Sequence, residues 1–284
     1  MNIVYLNGQF LPSAKACVSP DDRGFLFADG IYEVVRWYSG FFFDMEGHHA
    51  RLKRSLYEIK IRWDDEDSFP SIAASLIREN HLGDKPALVY FQVTRGAAPR
   101  THTFPYPPVK PTTYGFAKTF TPESAGKENG IAVLLKNDIR WARCDIKSIA
   151  LLPNAICFDE AAGKGFGECI FEREGYITEG SHSNIFFVIG GVLYTHPESN
   201  LILSGITRKN VIRAARECGI KLAEKAVAVK DLPLISEAFI TNTSAEITPV
   251  TSVNDITIGD GKPGPLTIKL QKQFASIVNS YARK

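Results

Sequence analysis

The spacing of apolar and polar positions changes period along the chain. Ile3 to Leu6 followed by Asn7-Gly8 reads as a strand and turn; Tyr32 to Tyr38, Ser39-Gly40 and Phe41 to Phe43 read as a hairpin. From Glu46 to Ile59 the period is helical, with Leu52, Leu56 and Ile59 on one stripe, and a second helix is predicted over Ser71 to Asn80. Ala87 to Thr94 predicts a strand buried on both faces, Leu88 and Tyr90 on one side, Val89, Phe91 and Val93 on the other. A loop follows from Gly96 to about Pro111, where Pro99, Pro105, Pro107, Pro108 and Pro111 exclude a helix and stiffen the chain. In the second half, strand-like runs at Ile131 to Leu135, Glu168 to Glu172, Asn184 to Val188 and Glu237 to Thr241 alternate with helical ones. Val211, Ile212, Ala214, Ala215 and Cys218 share one helical face; Leu266, Leu270, Phe274, Ile277 and Tyr281, spaced 4, 4, 3 and 4, form a closing amphipathic helix.

This mixture predicts an α/β (α+β) chain, and 284 residues exceed the size at which a single core usually stops growing. The polar stretch 121–130 has the composition of a linker. It separates a smaller N-terminal α/β domain, 1–120, from a larger C-terminal domain, 131–284.

Charge and composition remove several function classes. The 33 basic and 31 acidic residues are dispersed and build no field for a polyanion, so nucleic acid is not an expected partner. Five cysteines, an odd set without a CxxC pair, argue against a disulfide framework and a zinc site and fit a reducing compartment. His48 and His49 are adjacent and point to different faces of a helix, so no metal is expected. The start of the chain lacks the basic and apolar regions of a secretory signal, and no run approaches the ~18 apolar residues of a membrane span. A cytoplasmic protein without membrane association is expected. No phosphate-binding GxxxxGK[ST] loop, zinc HExxH or serine-hydrolase GxSxG motif occurs.

Lys147 lies between Ile146 and a further apolar run, a setting in which lysine is either chemically employed or packs its stem and sends its ammonium to water. Spacing alone does not choose. Thr178-Glu179-Gly180-Ser181 reads as a turn or cap, and Arg51, opposite Leu52 and Leu56, as a solvated surface arginine. Ser204-Gly205-Ile206-Thr207-Arg208 is a glycine turn with Thr207 at the cap of a helix, either a simple cap or a seat for an anion such as phosphate.

Taken in order, Tyr32-Glu33-Val34-Val35, His48-His49-Ala50-Arg51-Leu52, Val93 through Arg100-Thr101-His102, Cys144-Asp145-Ile146-Lys147-Ser148, Thr178-Glu179-Gly180-Ser181, Gly205-Ile206-Thr207-Arg208 and Thr243 through Pro249 resemble the fold-type IV pyridoxal-phosphate enzymes. The likeness is to the D-amino-acid transaminases among them and covers essentially the whole chain. It implies two domains, an N-terminal α/β sandwich and a C-terminal pseudo-barrel, with pyridoxal 5'-phosphate in the interdomain cleft. It implies that Lys147 holds the cofactor as a Schiff base and moves the substrate proton, and that Glu179 meets the pyridine nitrogen. Arg51, the backbone of Ile206 and Thr207, and Thr243 would hold the phosphate. Tyr32, Arg100 and His102 would receive the substrate carboxylate, the last two from the neighbouring subunit of a homodimer. The substrates implied are small amino and 2-oxo acids, with amino transfer from D-amino acids such as D-alanine to 2-oxoglutarate. Branched-chain L-amino-acid transamination and an aminodeoxychorismate-lyase-like elimination are the alternatives on the same scaffold. His182 departs from the pattern, because the resembling enzymes usually carry a small hydroxyl residue there.

Overall fold

The computed structural model describes residues 2–122 and 124–282. The chain forms two compact units, Met1–Thr121 with Ile146–Ala150, and Pro122–Asp145 with Leu151–Lys284.

The first unit contains β1 (Ile3–Leu6), β2 (Gln9–Pro12), α1 (Arg23–Phe27), β3 (Gly30–Tyr38), α2 (Met45–Glu58), α3 (Phe69–Glu79), β4 (Pro86–Thr94) and β5 (Thr112–Thr119). The strands form one antiparallel sheet in the order β2-β1-β5-β4-β3. Leu52 and Leu56 of α2 and Phe69, Ile72 and Leu76 of α3 bury against Ile31, Val35, Val89, Phe91 and Val93. Each fully buried side chain of this size stabilises the fold by roughly 1.5–3 kcal/mol.

The helices cover one face of the sheet. Val89, Phe91 and Val93 are buried while Leu88, Tyr90 and Gln92 stay half-buried, so the expected two-sided burial of β4 does not hold. Its second face instead joins an aromatic row: Tyr32 stacks on Tyr90 at 5.7 Å, Tyr90 on Phe116 at 5.2 Å, and Tyr114 lies 6.0 Å from Phe116. The expected hairpin after β3 forms but is short: Trp37 bridges Phe42, the Tyr38 N–H donates to the Phe41 carbonyl at 2.8 Å, and the Phe43 N–H donates to the Arg36 carbonyl at 3.3 Å. The chain turns directly into α2 because Asp44, in a left-handed conformation (φ 48°), accepts from the Gly47 N–H and caps that helix.

The second unit contains α4 (Ala125–Asn129), β6 (Ile131–Asn137), α5 (Leu152–Gly163), β7 (Glu168–Arg173), β8 (Tyr176–Gly180), β9 (Asn184–Ile189), β10 (Val192–Thr195), α6 (Ile206–Glu217), β11 (Leu222–Glu224), β12 (Val227–Ala228), β13 (Glu237–Asn242), β14 (Glu246–Val253), β15 (Ile256–Thr257) and α7 (Pro265–Tyr281). Its mixed sheet runs β11-β10-β9-β13-β14-β6-β7-β8-β12, with β15 on β14. The strands at the two ends of this path, β11 and β12, are separated by only residues 225 and 226. Three Cα steps span at most ~11 Å, so the sheet curls until its edges nearly meet, which makes it barrel-like.

The stretch 121–130 is not featureless, since it contains α4. Nor is the division of the chain a single cut, because residues 146–150 return to the first unit. Ser148 bridges Ile31, the Tyr32 N–H donates to the Lys147 carbonyl at 3.0 Å, and the Ile149 N–H donates to the Gly30 carbonyl at 3.1 Å. Gly30 permits this approach: a Cβ there would lie 2.7 Å from the Val93 carbonyl and 3.0 Å from Ile149. No helix among the described residues is long and apolar enough to cross a membrane.

Candidate active site

The predicted site residues fall into two clusters, one in each unit. In the first, the half-buried Lys147 is held by its backbone, with its carbonyl on Tyr32 and its N–H donating to Ser55 Oγ at 3.3 Å. Its Nζ lies 4.2 Å from the centre of the Tyr32 ring. One turn before Ser55 on α2 is Arg51, which is buried rather than solvated. Arg51 donates through Nε and Nη2 to the two carboxylate oxygens of Glu33 at 2.7 and 2.8 Å, and His48 Nδ1 lies 2.8 Å from Glu33 Oε2.

Strand alternation explains this cluster. Glu33 shares its face with Ile31 and Val35 and therefore points at α2, where His48, Arg51 and Ser55 lie on one side of the helix. Burial by itself would raise the Glu33 pKa, but the charge and hydrogen bonds of Arg51, helped by His48, outweigh it and bring the carboxyl to about 2. Burial likewise lowers the His48 pKa and favours the neutral ring. The Glu33 contribution to stability is therefore full above the ordinary value of 4.5 and is lost as pH falls toward about 2. Replacing Glu33 with leucine strands a buried guanidinium. A loss of about 3–5 kcal/mol in urea unfolding is expected.

Arg100 and His102 lie on the exposed part of the loop after β4, and both face one ring. The Arg100 guanidinium is 5.1 Å and the His102 ring 5.8 Å from the centre of Phe27.

In the second unit Glu179 is the penultimate residue of β8, so the tetrapeptide expected as a turn is mostly strand, and the turn falls at 181–183. Glu179 is buried. It accepts from Arg140 Nη1 at 2.6 Å, Asn184 Nδ2 at 3.0 Å and the Leu203 N–H at 2.9 Å. Burial nevertheless pushes its pKa up from 4.5 to about 7 against the charge and hydrogen bond of Arg140, and the like charge of Asp138, which Arg140 meets through Nε and Nη2 at 3.0 Å each, adds a smaller push in the same direction. The helix α6 is capped by Gly205 and not by the expected Thr207, which sits in its first turn. Packing sets that position: a Cβ at Gly205 would meet Asn184 Oδ1 at 2.1 Å, the same Asn184 that holds Glu179. The first-turn N–H groups of Ile206 and Thr207 have no partner inside the helix. Thr243 is in the turn joining β13 to β14. His182 is half-exposed, with Nδ1 2.9 Å from Ser181 Oγ and 3.2 Å from the buried Glu168.

The sequence profile of the family "Amino-transferase class IV" matches residues 30–253. The chain belongs to this family. D-alanine aminotransferase from Staphylococcus haemolyticus is 39% identical over 281 residues, covering 99% of each chain. Among solved structures, the branched-chain amino acid aminotransferase of Escherichia coli matches with a TM-score of 0.90 at 26% identity, over 98% of this chain and 94% of that one. The T.th. branched-chain amino acid aminotransferase with pyridoxamine 5'-phosphate matches with a TM-score of 0.87 at 26% identity, over 98% and 94%.

Class IV aminotransferases are pyridoxal-phosphate enzymes, and the residues present fit that cofactor. Lys147 offers a primary amine to its aldehyde. The buried Glu179 carboxyl, ionised only at a cost, suits a cationic ring nitrogen. Arg51 and the first turn of α6 offer donors of the kind that hold a phosphate. Sequence reasoning missed Glu33, Arg140 and Asn184. Glu33 had a legible signal, a carboxylate on the inward face of an apolar strand; Arg140 and Asn184 had none, because their role depends on Glu179 being buried.

Proposed function

We propose that this aminotransferase moves the amino group of D-amino acids such as D-alanine to 2-oxoglutarate, giving a 2-oxo acid and D-glutamate. The carrying observation is the pair Arg100 and His102, an arginine and an imidazole set against one phenylalanine ring on an exposed loop. Two such donors, with the Tyr32 hydroxyl, suit a substrate α-carboxylate. The full-length likeness to a D-alanine aminotransferase supports the same reading. The likeness of fold to branched-chain enzymes favours a second one, L-amino-acid transamination, which the test below separates.

When bound, pyridoxal phosphate supplies an aldehyde that condenses with an amine and a ring that accepts the electron pair released at Cα. Lys147 would hold it through Nζ, and the freed Nζ would carry the proton from the substrate Cα to the cofactor's former aldehyde carbon. The Tyr32 ring beside Nζ limits the directions in which that amine can move. Glu179 keeps the ring nitrogen protonated, with Asn184 and the Leu203 N–H fixing the carboxylate's orientation. Arg51, Ile206, Thr207 and Thr243 anchor the phosphate; because Glu33 balances Arg51, that guanidinium contributes directed donors more than net charge.

The arrangement works as a homodimer in which each loop serves the partner's site, a reading favoured by the exposure of Phe104 and Tyr106 on the loop. With the holoenzyme and no keto acid, D-alanine is expected to convert the cofactor from its aldehyde to its amine form, read by absorbance, and L-leucine is not. Conversion by L-leucine alone would establish the branched-chain reading.

A further inference from the structure

Two arginines that no part of the proposed chemistry uses lie under the Arg100/His102 loop. Arg23, the first residue of α1, is 3% exposed and Arg95, just after β4, is 7% exposed. Both bind one carboxylate: Arg23 Nε donates to Asp29 Oδ2 at 2.8 Å, and Arg95 donates to Asp29 Oδ2 and Oδ1 at 2.7 and 2.9 Å. Two guanidiniums thus share a single acid. The second charge is met by carbonyl dipoles and ring faces. Arg95 donates to the Lys60 and Ile59 carbonyls at 2.9 and 2.7 Å and lies 3.6 Å from the centre of Phe104. Arg23 Nη1 donates to the Thr101 carbonyl at 2.7 Å, and its guanidinium lies 4.6 Å from the centre of Phe27.

The contact with Thr101 is the informative one. Thr101 stands between Arg100 and His102, so a short charge-assisted bond from a buried, doubly anchored arginine fixes the backbone from which both side chains project. Phe27 completes the device, because Arg23, Arg100 and His102 all face its ring. The root of the loop is tied to the same base: the Arg23 N–H donates to the Gly96 carbonyl at 3.0 Å and the Ala98 N–H to the Asp21 carbonyl at 3.2 Å. Proline stiffness keeps the remainder of the loop from absorbing a shift at Thr101.

We infer that Arg23 is a positioning residue for substrate-carboxylate binding, acting through the Thr101 carbonyl and the Phe27 ring on Arg100 and His102. The inference rests on the proposal that these two residues receive the carboxylate. It predicts a particular division of effect, because Arg23 touches neither Lys147 nor Glu179.

The test uses the cofactor-loaded enzyme in single-turnover half-reactions with D-alanine, comparing Arg23→Gln, Phe27→Leu and Arg100→Ala. Arg23→Gln is expected to raise the apparent Kd for D-alanine roughly tenfold to a hundredfold, the range for one lost hydrogen bond to a charged group. The limiting rate at saturation and the amount of bound cofactor stay within about threefold of the parent. Phe27→Leu shows the same division with a smaller rise, and decides the matter if Arg23→Gln fails to fold. The triple variant Arg23→Gln/Arg100→Ala/His102→Ala is no worse than Arg100→Ala/His102→Ala, since Arg23 acts only through the pair. Binding of acetate as a competing carboxylate, read from the cofactor absorbance without turnover, weakens in parallel. If Arg100→Ala raises Kd while Arg23→Gln and Phe27→Leu do not, or if they lower the limiting rate with Kd unchanged, the inference is overturned and the proposed function stands. If Arg100→Ala and His102→Ala both leave Kd unchanged, the carboxylate assignment itself falls.

Discussion

Replacing Lys147 with alanine is expected to leave a folded protein that binds pyridoxal phosphate reversibly and no longer attaches it. The segment carrying Lys147 is held by its main chain, through the Tyr32 N–H on the Lys147 carbonyl and the Lys147 N–H on Ser55, and alanine keeps both bonds. The side chain is only half-buried, so its loss opens no sealed cavity. What disappears is the amine. Transamination should fall by at least about 10²–10⁴-fold, the range for losing a positioned acid–base group, with loss of covalent anchoring adding to it. Borohydride followed by mass measurement separates the cases: the parent chain gains a fixed cofactor adduct and Lys147→Ala gains none. An unchanged adduct would remove Lys147 from its role. Partial recovery of the half-reaction by added methylamine would identify the missing group as a base.

Glu179→Gln is expected to remove a pH dependence of stability and to lower catalysis. In the cofactor-free protein the Glu179 pKa is raised from 4.5 to about 7, so the folded state holds the proton more tightly than the unfolded chain does. The resulting penalty is absent below pH about 4.5, grows as pH rises, and is fully present above about 7. Its size is on the order of 3 kcal/mol. Glutamine is similar in shape and never ionises. The variant apoprotein should therefore lose this downward slope of stability between pH 4.5 and 7. The same uncharged amide cannot keep the cofactor's ring nitrogen protonated, and kcat should fall by roughly 10²–10³-fold, comparable to removing one preorganised electrostatic group. Urea titrations of the apoprotein at pH 5 and 8, paired with half-reaction rates of the loaded enzyme, check both. A variant that gains stability at pH 8 and retains full activity would show that Glu179 is a strained carboxyl without a partner in catalysis.

The sequence carried the periodic elements well and the irregular ones poorly. The stripes Leu52, Leu56 and Leu270, Phe274, Ile277 mark helices whose buried faces the structure confirms. β5 and α5 escaped for opposite reasons. Thr112–Thr119 follows a proline cluster and carries Gly115 at its centre, while Leu152–Gly163 places apolar Leu152 and Ile156 outward where periodicity expects polar residues. The barrel-like closure of the second sheet depends on which distant strands pair, and no local pattern encodes that. At the site, residue types were legible but environments were not. Arg51 looks like a surface arginine until strand alternation turns Glu33 toward it. Gly205 looks like a flexible turn residue, yet its φ of −67° is ordinary and the lack of a side chain matters because of Asn184.

The excursion of residues 146–150 has a consequence for synthesis. A nascent chain completes β3 early, but the segment that pairs with Gly30 and Ile31 emerges more than a hundred residues later, after part of the second unit has been made. At about 5–20 residues per second this is a delay of several seconds or more, during which the Gly30–Tyr32 backbone has no neighbour on that side. Severing the chain at 121/122 would make the gap permanent, so an isolated first half would carry an open strand edge and a tendency to self-associate. Exchanging first halves between related enzymes would likewise have to carry residues 146–150 along with them.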